Sequence, residues 1–205
     1  MDINFIITCY ENEQNIPLLV QLLQSFKKIQ PNIVVSYAGE KDIPCDVKID
    51  PTSLKPQFRE IALTVEGYRA FKRYNNTNKK FVKLSANVWP TNEDILIELL
   101  DRLTVHKTPY GGNYWHHNGV GSLAMDFFVM DLTYGDFLKD LDQVHNDSEV
   151  TLYQQLVVKK KKQPYIIPER DGIFWNNRYE CKALGLVMRS TPQENLATMK
   201  DWAIE

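Results

Sequence analysis

Strand-length apolar runs that alternate with amphipathic helical segments are the feature that most constrains this fold. The run INFIIT at residues 3 to 8 has the length of a buried strand, and Asn15-Ile16-Pro17 then predicts the start of a helix. Further strands are predicted at 33 to 37 and at 46 to 49, where β-branched residues cluster. The first helix would bury one stripe, made of Leu19, Leu22, Leu23 and Phe26.

The alternation continues through the middle of the chain. A helical pattern runs from about Gln57 to Tyr74, and the segment FVKLS at 81 to 85 follows as a strand. After Trp89-Pro90, Asn92 is suited to cap another helix. Strands that alternate with helices of this length predict a largely parallel sheet covered by helices on both faces.

The second half has a less regular pattern. Residues 109 to 121, rich in glycine and aromatic residues, are interpreted as a surface loop that leads into a strand at 122 to 131. Two later helices are predicted from Asp147-Ser148 and from the capping box Thr191-Pro192-Gln193-Glu194. A further amphipathic helix between them is indicated by Tyr134, Phe137, Leu138 and Leu141.

Composition excludes several classes of protein. The 205 residues suit a single domain, and 24 basic against 26 acidic residues leave no field that would attract a nucleic-acid backbone. The sequence has neither a signal-peptide pattern nor an apolar run long enough to cross a bilayer, which predicts a cytoplasmic protein without a transmembrane segment. Three widely spaced cysteines predict reduced thiols in a cytosol-like compartment.

Small and polar residues follow three of the predicted strands. Ligands of parallel α/β sheets gather at the carboxyl ends of the strands, so these residues mark the place to look for a binding site. Their polar character suits a flat polar ligand such as a nucleotide. They are Thr8, Tyr10, Glu11 and Asn12 after the first strand, Gly39 and Glu40 after the second, and Ser85 and Asn87 after FVKLS.

Two segments resemble the GT-A nucleotide-sugar glycosyltransferases. The opening FIITCYENEQNIPLLVQLLQSF is similar to that family's first strand, loop and helix, and GYRAFKRYNNTNKKFVKLSANVWP is similar to the stretch that carries its Asp-x-Asp motif. The resemblance implies an α/β three-layer sandwich with a mixed, mainly parallel central sheet. It also implies a nucleoside diphosphate sugar donor, bound by a half at about 1 to 90, and a glycan acceptor, bound by a half at about 91 to 205.

The sequence departs from the family at the metal-binding motif. Ser85 and Asn87 stand where the family has two aspartates, and a hydroxyl with an amide supplies no negative charge to Mg²⁺ or Mn²⁺. Three alternatives remain: the metal takes ligands elsewhere, catalysis has been lost, or basic groups stabilise the leaving diphosphate. The candidate basic groups are Arg59, Lys83 and the run Lys159 to Lys162, although that run also suits a solvated helix end.

An inverting transfer requires a carboxylate that removes the proton of the acceptor hydroxyl. The segment VHNDSEVTLYQQL resembles the late helix that carries this base in the family, which makes Glu149 and Asp147 candidates and Asp126 a third. Asp147 and Glu149 also fit a helix start, where carboxylates satisfy free amides. Tyr114, Trp115 and His116 are candidates to stack on the acceptor sugar.

Two functions therefore follow from the sequence. The first is a hexosyltransferase-type glycosyltransferase that acts on a glycan hydroxyl. The second is a non-catalytic relative that binds a nucleotide or glycan, which the missing aspartates favour.

Overall fold

The architecture comes from a computed structural model. It describes residues 3–11, 16, 19, 32–53, 55, 58–74, 77–90, 93–117, 120–142, 147–166, 180–181 and 186–188. The helix predicted from Asn15-Ile16-Pro17 lies almost wholly outside these residues, and the one predicted from Thr191 lies wholly outside them.

A seven-stranded mixed sheet forms the centre of the fold. Its spatial order is β3-β2-β1-β4-β7-β6-β8, and every strand except β7 runs in the same direction. The predicted mainly parallel sheet is thus confirmed. The strands are β1 (Asn4–Tyr10), β2 (Asn32–Ala38), β3 (Val47–Ile49), β4 (Lys80–Ser85), β6 (Tyr110–His117), β7 (Val120–Asp131) and β8 (Tyr165–Ile166).

The strand that comes after β4 in the chain belongs to a second, small antiparallel sheet. This sheet has the order β5-β10-β9, with β5 at Val88–Pro90, β9 at Glu180–Cys181 and β10 at Leu186–Met188. The turn between β4 and β5 is therefore held from both sides, by the main sheet and by this second one.

Helices cover both faces of the main sheet. Helix α2 (Glu93–His106) packs on one face through its leucines, while α1 (Arg59–Arg73) and α3 (Ser148–Tyr153) pack on the other. Helix α3 continues as a π-helical segment, Gln154–Lys159, and short 3₁₀ helices lie at Pro51–Ser53 and Leu132–Tyr134. The three-layer arrangement predicted from the alternating pattern is confirmed.

Successive side chains of β4 point to opposite faces of the sheet, and this alternation determines which core each residue enters. Val82 and Leu84 lie in the core beneath α2, and Phe81 lies in the opposite core beneath α1. Lys83 and Ser85 share the face of Phe81, so a lysine occupies a core position beneath α1 and α3.

The segment at 109 to 121 is mainly a strand, and its interpretation as a surface loop is wrong. Residues 110 to 117 form β6, which pairs with both β7 and β8. Glycine suits this strand because a Cβ on Gly111 would lie 2.6 Å from Leu103 Cδ2 of α2. The glycine that suggested a loop instead permits close helix packing.

The amphipathic helix predicted around Tyr134 to Leu141 is also wrong. The segment forms a 3₁₀ turn that Asp131 caps through Thr133 N, and Gly135 then has φ +151, which other residues rarely adopt. Phe137, Leu138 and Leu141 are nevertheless buried in the core. Their apolar character was a signal of burial rather than of a helix.

Among the described helices, none has both the length and the apolar character needed to cross a membrane.

Candidate functional site at the strand ends

The carboxyl ends of β1 and β4 lie side by side, and β7 completes the site. Thr8 pairs in register with Ser85, the last residue of β4. Antiparallel pairing of Leu84 with Phe127 then brings Asp126 beside Ser85, whose hydroxyl lies 3.5 Å from Asp126 Oδ1. A residue 41 positions later in the chain is thus delivered to the end of β4.

Lys83 is fully buried beneath this edge, and its ammonium is fully engaged by the protein. It pairs with Glu60 Oε1, donates to the Met125 carbonyl, and donates to Ser85 Oγ at 3.0 Å. An ammonium has three hydrogens, and these acceptors match them in number. The predicted contact between Lys83 and a donor phosphate stays a prediction, and this geometry disfavours it.

Glu60, which the sequence analysis missed, is the centre of the buried polar cluster. Its Oε1 accepts a hydrogen bond from Thr8 Oγ1 at 2.7 Å and lies 3.3 Å from Ser85 Oγ. The available signal was Lys83 itself, because a lysine on the buried face of a central strand requires a carboxylate partner. We call Thr8, Glu60, Lys83, Ser85 and Asp126 the strand-end cluster.

Glu149 lies beside the strand-end cluster in the first turn of α3. It is partly buried, and its Oε1 lies 3.4 Å from Met125 N, next to Asp126. Burial, reinforced by the charge of Asp126, raises the pKa of Glu149 to about 7. Burial likewise raises the pKa of Asp126, against the influence of the Lys83 ammonium.

Asp147 serves as the N-cap of α3. Its side chain is exposed and accepts a hydrogen bond from Val150 N at 2.9 Å. The helix-start interpretation therefore accounts for Asp147, whereas Glu149, two residues later, turns toward β7.

Glu11 organises the loop that follows β2. Its carboxylate accepts hydrogen bonds from the Tyr37 hydroxyl at 3.0 Å and from the backbone amides of Glu40 and Lys41. These bonds hold the pKa of Glu11 below its usual value, the Glu40 amide contributing most. A Cβ on Gly39 would overlap both the Tyr37 hydroxyl and the Glu11 carboxylate, so this loop conformation requires glycine there.

Three further predicted donor residues, Tyr10, Asn87 and Arg59, lie at the same edge of the sheet. Tyr10 and Asn87 are partly exposed at the ends of β1 and β4, and Asn12 lies outside the described residues. Arg59 is the first residue of α1 and donates from Nη2 to the Pro51 carbonyl at 3.2 Å. Its Nε is buried and has no hydrogen-bond partner within the described part of the chain.

The run Lys159 to Lys162 does not lie at the carboxyl ends of the strands. Lys160 Nζ donates to the Asp136 carbonyl at 3.1 Å and lies 3.6 Å from Asp140 Oδ2. That segment follows Asp131, which pairs with Lys80 at the amino end of β4. The predicted phosphate contact of Lys159 to Lys162 gains no support from this placement.

An aromatic pair is formed by Tyr114 of β6 and Tyr153 of α3. The Tyr114 and Tyr153 rings have centroids 5.8 Å apart, and the Tyr153 ring lies against Gly121, where a Cβ would approach it to 2.6 Å. Tyr153 follows Glu149 by four residues and so shares its helix face. The side chains of Trp115 and His116 lie outside the described part of the structure.

The donor set at the strand ends does not fit a divalent cation. Ser85 and Asn87 offer neutral oxygens, and the Ser85 hydroxyl lies next to the Lys83 ammonium. Within the described ranges, no group of three or more His, Cys, Asp or Glu side chains is placed to hold a metal ion.

The sheet order, the helices on both faces and the polar strand ends define a GT-A-like nucleotide-sugar transferase fold. The chain is similar to the crystal structure of a glycosyltransferase involved in the glycosylation of the major capsid of PBCV-1, with a TM-score of 0.57 and 13% identity. That match covers 98% of this chain and 100% of the other.

A second solved structure, A197 from STIV, has a TM-score of 0.50 and 10% identity over 93% of this chain and 95% of that one. At these identities the likeness shows the fold alone. The sequence itself matches no protein-family model and no curated protein.

Proposed function

We propose that the protein is a glycosyltransferase that moves a sugar from a nucleoside diphosphate sugar to a hydroxyl of a glycan. The observation that carries the proposal is Glu149, a partly buried carboxyl group with a pKa of about 7 beside the strand ends where such folds bind their ligands. The fold itself, shared with a glycosyltransferase, supports the same class of reaction.

Glu149 is suited to act as the general base. A base whose pKa lies near neutral pH is substantially ionised in the cell and still strong enough to accept a proton from a hydroxyl in the transition state. Asp126 contributes by keeping that pKa high through its own charge. In this scheme the acceptor oxygen attacks the anomeric carbon, its proton passes to Glu149, and the nucleoside diphosphate leaves from the opposite face.

The donor is assigned to the loops that follow β1, β2 and β4. Tyr10 and Asn87 present partly exposed groups there, while the buried Gly39, together with Glu11, fixes the shape of the loop after β2. The Nε of Arg59 has no hydrogen-bond partner among the described residues, and we assign this guanidinium to a donor phosphate.

The acceptor is assigned to the aromatic pair. Tyr114 and Tyr153 present ring surface close to the helix turn that carries Glu149, and a sugar ring stacks well on such a surface. This arrangement would place an acceptor hydroxyl near the base, because Tyr153 and Glu149 lie one helical turn apart.

The decisive experiment compares wild type, Glu149→Gln and Asp147→Asn. Thermal shift with UDP, GDP, TDP and CMP first identifies the nucleotide, since a ligand well above its Kd must raise the Tm. Transfer or hydrolysis of the matching sugar donor is then measured. We expect Glu149→Gln to slow turnover by about a hundredfold or more with donor affinity retained, and Asp147→Asn to retain most activity.

A non-catalytic nucleotide- or glycan-binding module is the second candidate. Ser85 and Asn87 stand in place of two aspartates, which favours this candidate. Without two carboxylates to hold a divalent cation, the site lacks the positive charge that would stabilise a leaving diphosphate. Nucleotide binding without turnover by the wild type, across donors and acceptors, would support this candidate over the first.

A further inference from the structure

A fully buried lysine lies directly beneath the position of the missing aspartates. Lys83 extends along the sheet toward the carboxyl end of β4, and its Nζ comes within 3.0 Å of Ser85 Oγ. Its charge is therefore buried just beneath the carboxyl end of β4, next to that strand's last residue. Any group that binds at Ser85 experiences that charge through little intervening solvent.

The ammonium is outnumbered by carboxyl groups. Glu60 comes from α1, Asp126 from β7 and Glu149 from α3, and all three surround the same end of β4. Without Lys83 this arrangement would collect negative charge at the edge where the proposed donor brings its diphosphate. A cation is needed there, and the chain supplies one of its own.

A divalent ion would compete poorly at this edge. Its charged ligands would have to come from Glu60 or Asp126, but Glu60 is already bound to the ammonium and Asp126 lies 3.5 Å from the Ser85 hydroxyl, beside the same ammonium. The neutral oxygen of Ser85 is the nearest remaining ligand, and it accepts a hydrogen bond from Lys83. Repulsion by the ammonium adds to the weak ligand set.

We propose that the Lys83 ammonium is the resident cation of the strand-end cluster, taking the place of a divalent ion and excluding one. The inference rests on the proposed function only in treating the strand ends as the place where the donor diphosphate binds. Lys83 acts through Ser85, Glu60 and Asp126 and does not touch the donor, so it is a positioning residue.

The test measures binding of Mn²⁺ alone, followed by the electron paramagnetic resonance signal of the free ion. Wild type is compared with Lys83→Gln, which removes the charge but keeps a hydrogen-bond donor toward Glu60 and Met125. Lys80→Gln is the matched control, because Lys80 lies at the other end of β4 and pairs with Asp101 at 3.7 Å. Retention of the fold is verified by circular dichroism.

We expect no Mn²⁺ binding by wild type or Lys80→Gln below about 1 mM, and an affinity at least about tenfold tighter for Lys83→Gln, because its freed carboxylates become available as ligands. Micromolar binding by wild type would overturn the proposal. A folded Lys83→Gln protein with no gain would overturn it as well, since Lys83 would then be only structural. The probe is the ion alone, so a protein without transfer activity would still give a clear result.

Discussion

Replacing Glu149 by glutamine should make the protein more stable at pH 8 while removing its proposed base. The pKa of Glu149 rises from 4.5 to about 7 on folding. A carboxyl group with a raised pKa binds its proton more tightly in the folded state, so stability falls as pH rises from 4.5 to 7 and then levels off. Glutamine imitates the protonated form and does not incur this loss.

The magnitude follows from the size of the pKa change. Converted at about 1.36 kcal/mol per pKa unit, the rise corresponds to about 3 kcal/mol. Because Glu149 is partly solvated, we expect only about 2 kcal/mol to be recovered in Glu149→Gln. For a chain of this length that amounts to a rise in Tm of about 4 to 8 °C at pH 8.

Thermal unfolding at pH 5 and pH 8, followed by circular dichroism, measures the effect. At pH 5 the native carboxyl group is protonated and the unfolded one is only about half a pH unit above its pKa of 4.5, so the difference between Glu149→Gln and wild type should fall to about a quarter of its value at pH 8. Glu98→Gln is the control, since Glu98 is an exposed carboxylate paired with Arg102 on the surface of α2. A Glu149→Gln protein that is less stable than wild type at pH 8, or equally changed at both pH values, would refute the reasoning.

Three further results are expected. Gly39→Ala should lower the Tm by about 3 to 10 °C in a thermal scan, because its Cβ would overlap the hydroxyl of the buried Tyr37; an unchanged Tm would contradict the loop geometry. Arg59→Ala should weaken nucleoside diphosphate binding at least about tenfold by calorimetry, whereas Arg69→Ala, on the exposed side of α1, should not; equal effects would remove Arg59 from the donor site. Burial, aided by the charge of Glu60, raises the pKa of Cys9 to about 12, so its peptide should stay unlabelled by a thiol reagent at pH 8 until denaturant is added; labelling in the native protein would disprove its burial.

Local periodicity is the part of the fold that the sequence determines. The strands β1, β2, β4 and β7 and the helices α1 and α2 lie close to where alternating and helical patterns predict them. Such patterns record which face of an element is buried, and that face is set by the element's own geometry. The mainly parallel sheet follows from the order of strands and helices along the chain.

Pairing between distant segments is the part that the sequence does not determine. β6 looks like a loop because glycine and aromatic residues mark turns locally, yet β7 and β8 supply the hydrogen-bond partners that make it a strand. The segment around Phe137 is buried without being helical, because Gly135 adopts a backbone conformation that interrupts any helix.

The site shows the same division. Alternation along β4 places Lys83 on one face with Ser85, and this much can be read from the sequence alone. Its partners cannot be read in this way, since Glu60 lies 23 residues earlier and Asp126 comes from a strand that enters the sheet in the opposite direction. The ammonium therefore looked like a free phosphate ligand in the sequence, whereas tertiary packing surrounds it with carboxylates and a carbonyl. The physical reason is that a charged group costs folding free energy only when burial removes its hydration. Only the folded chain determines which groups are buried together.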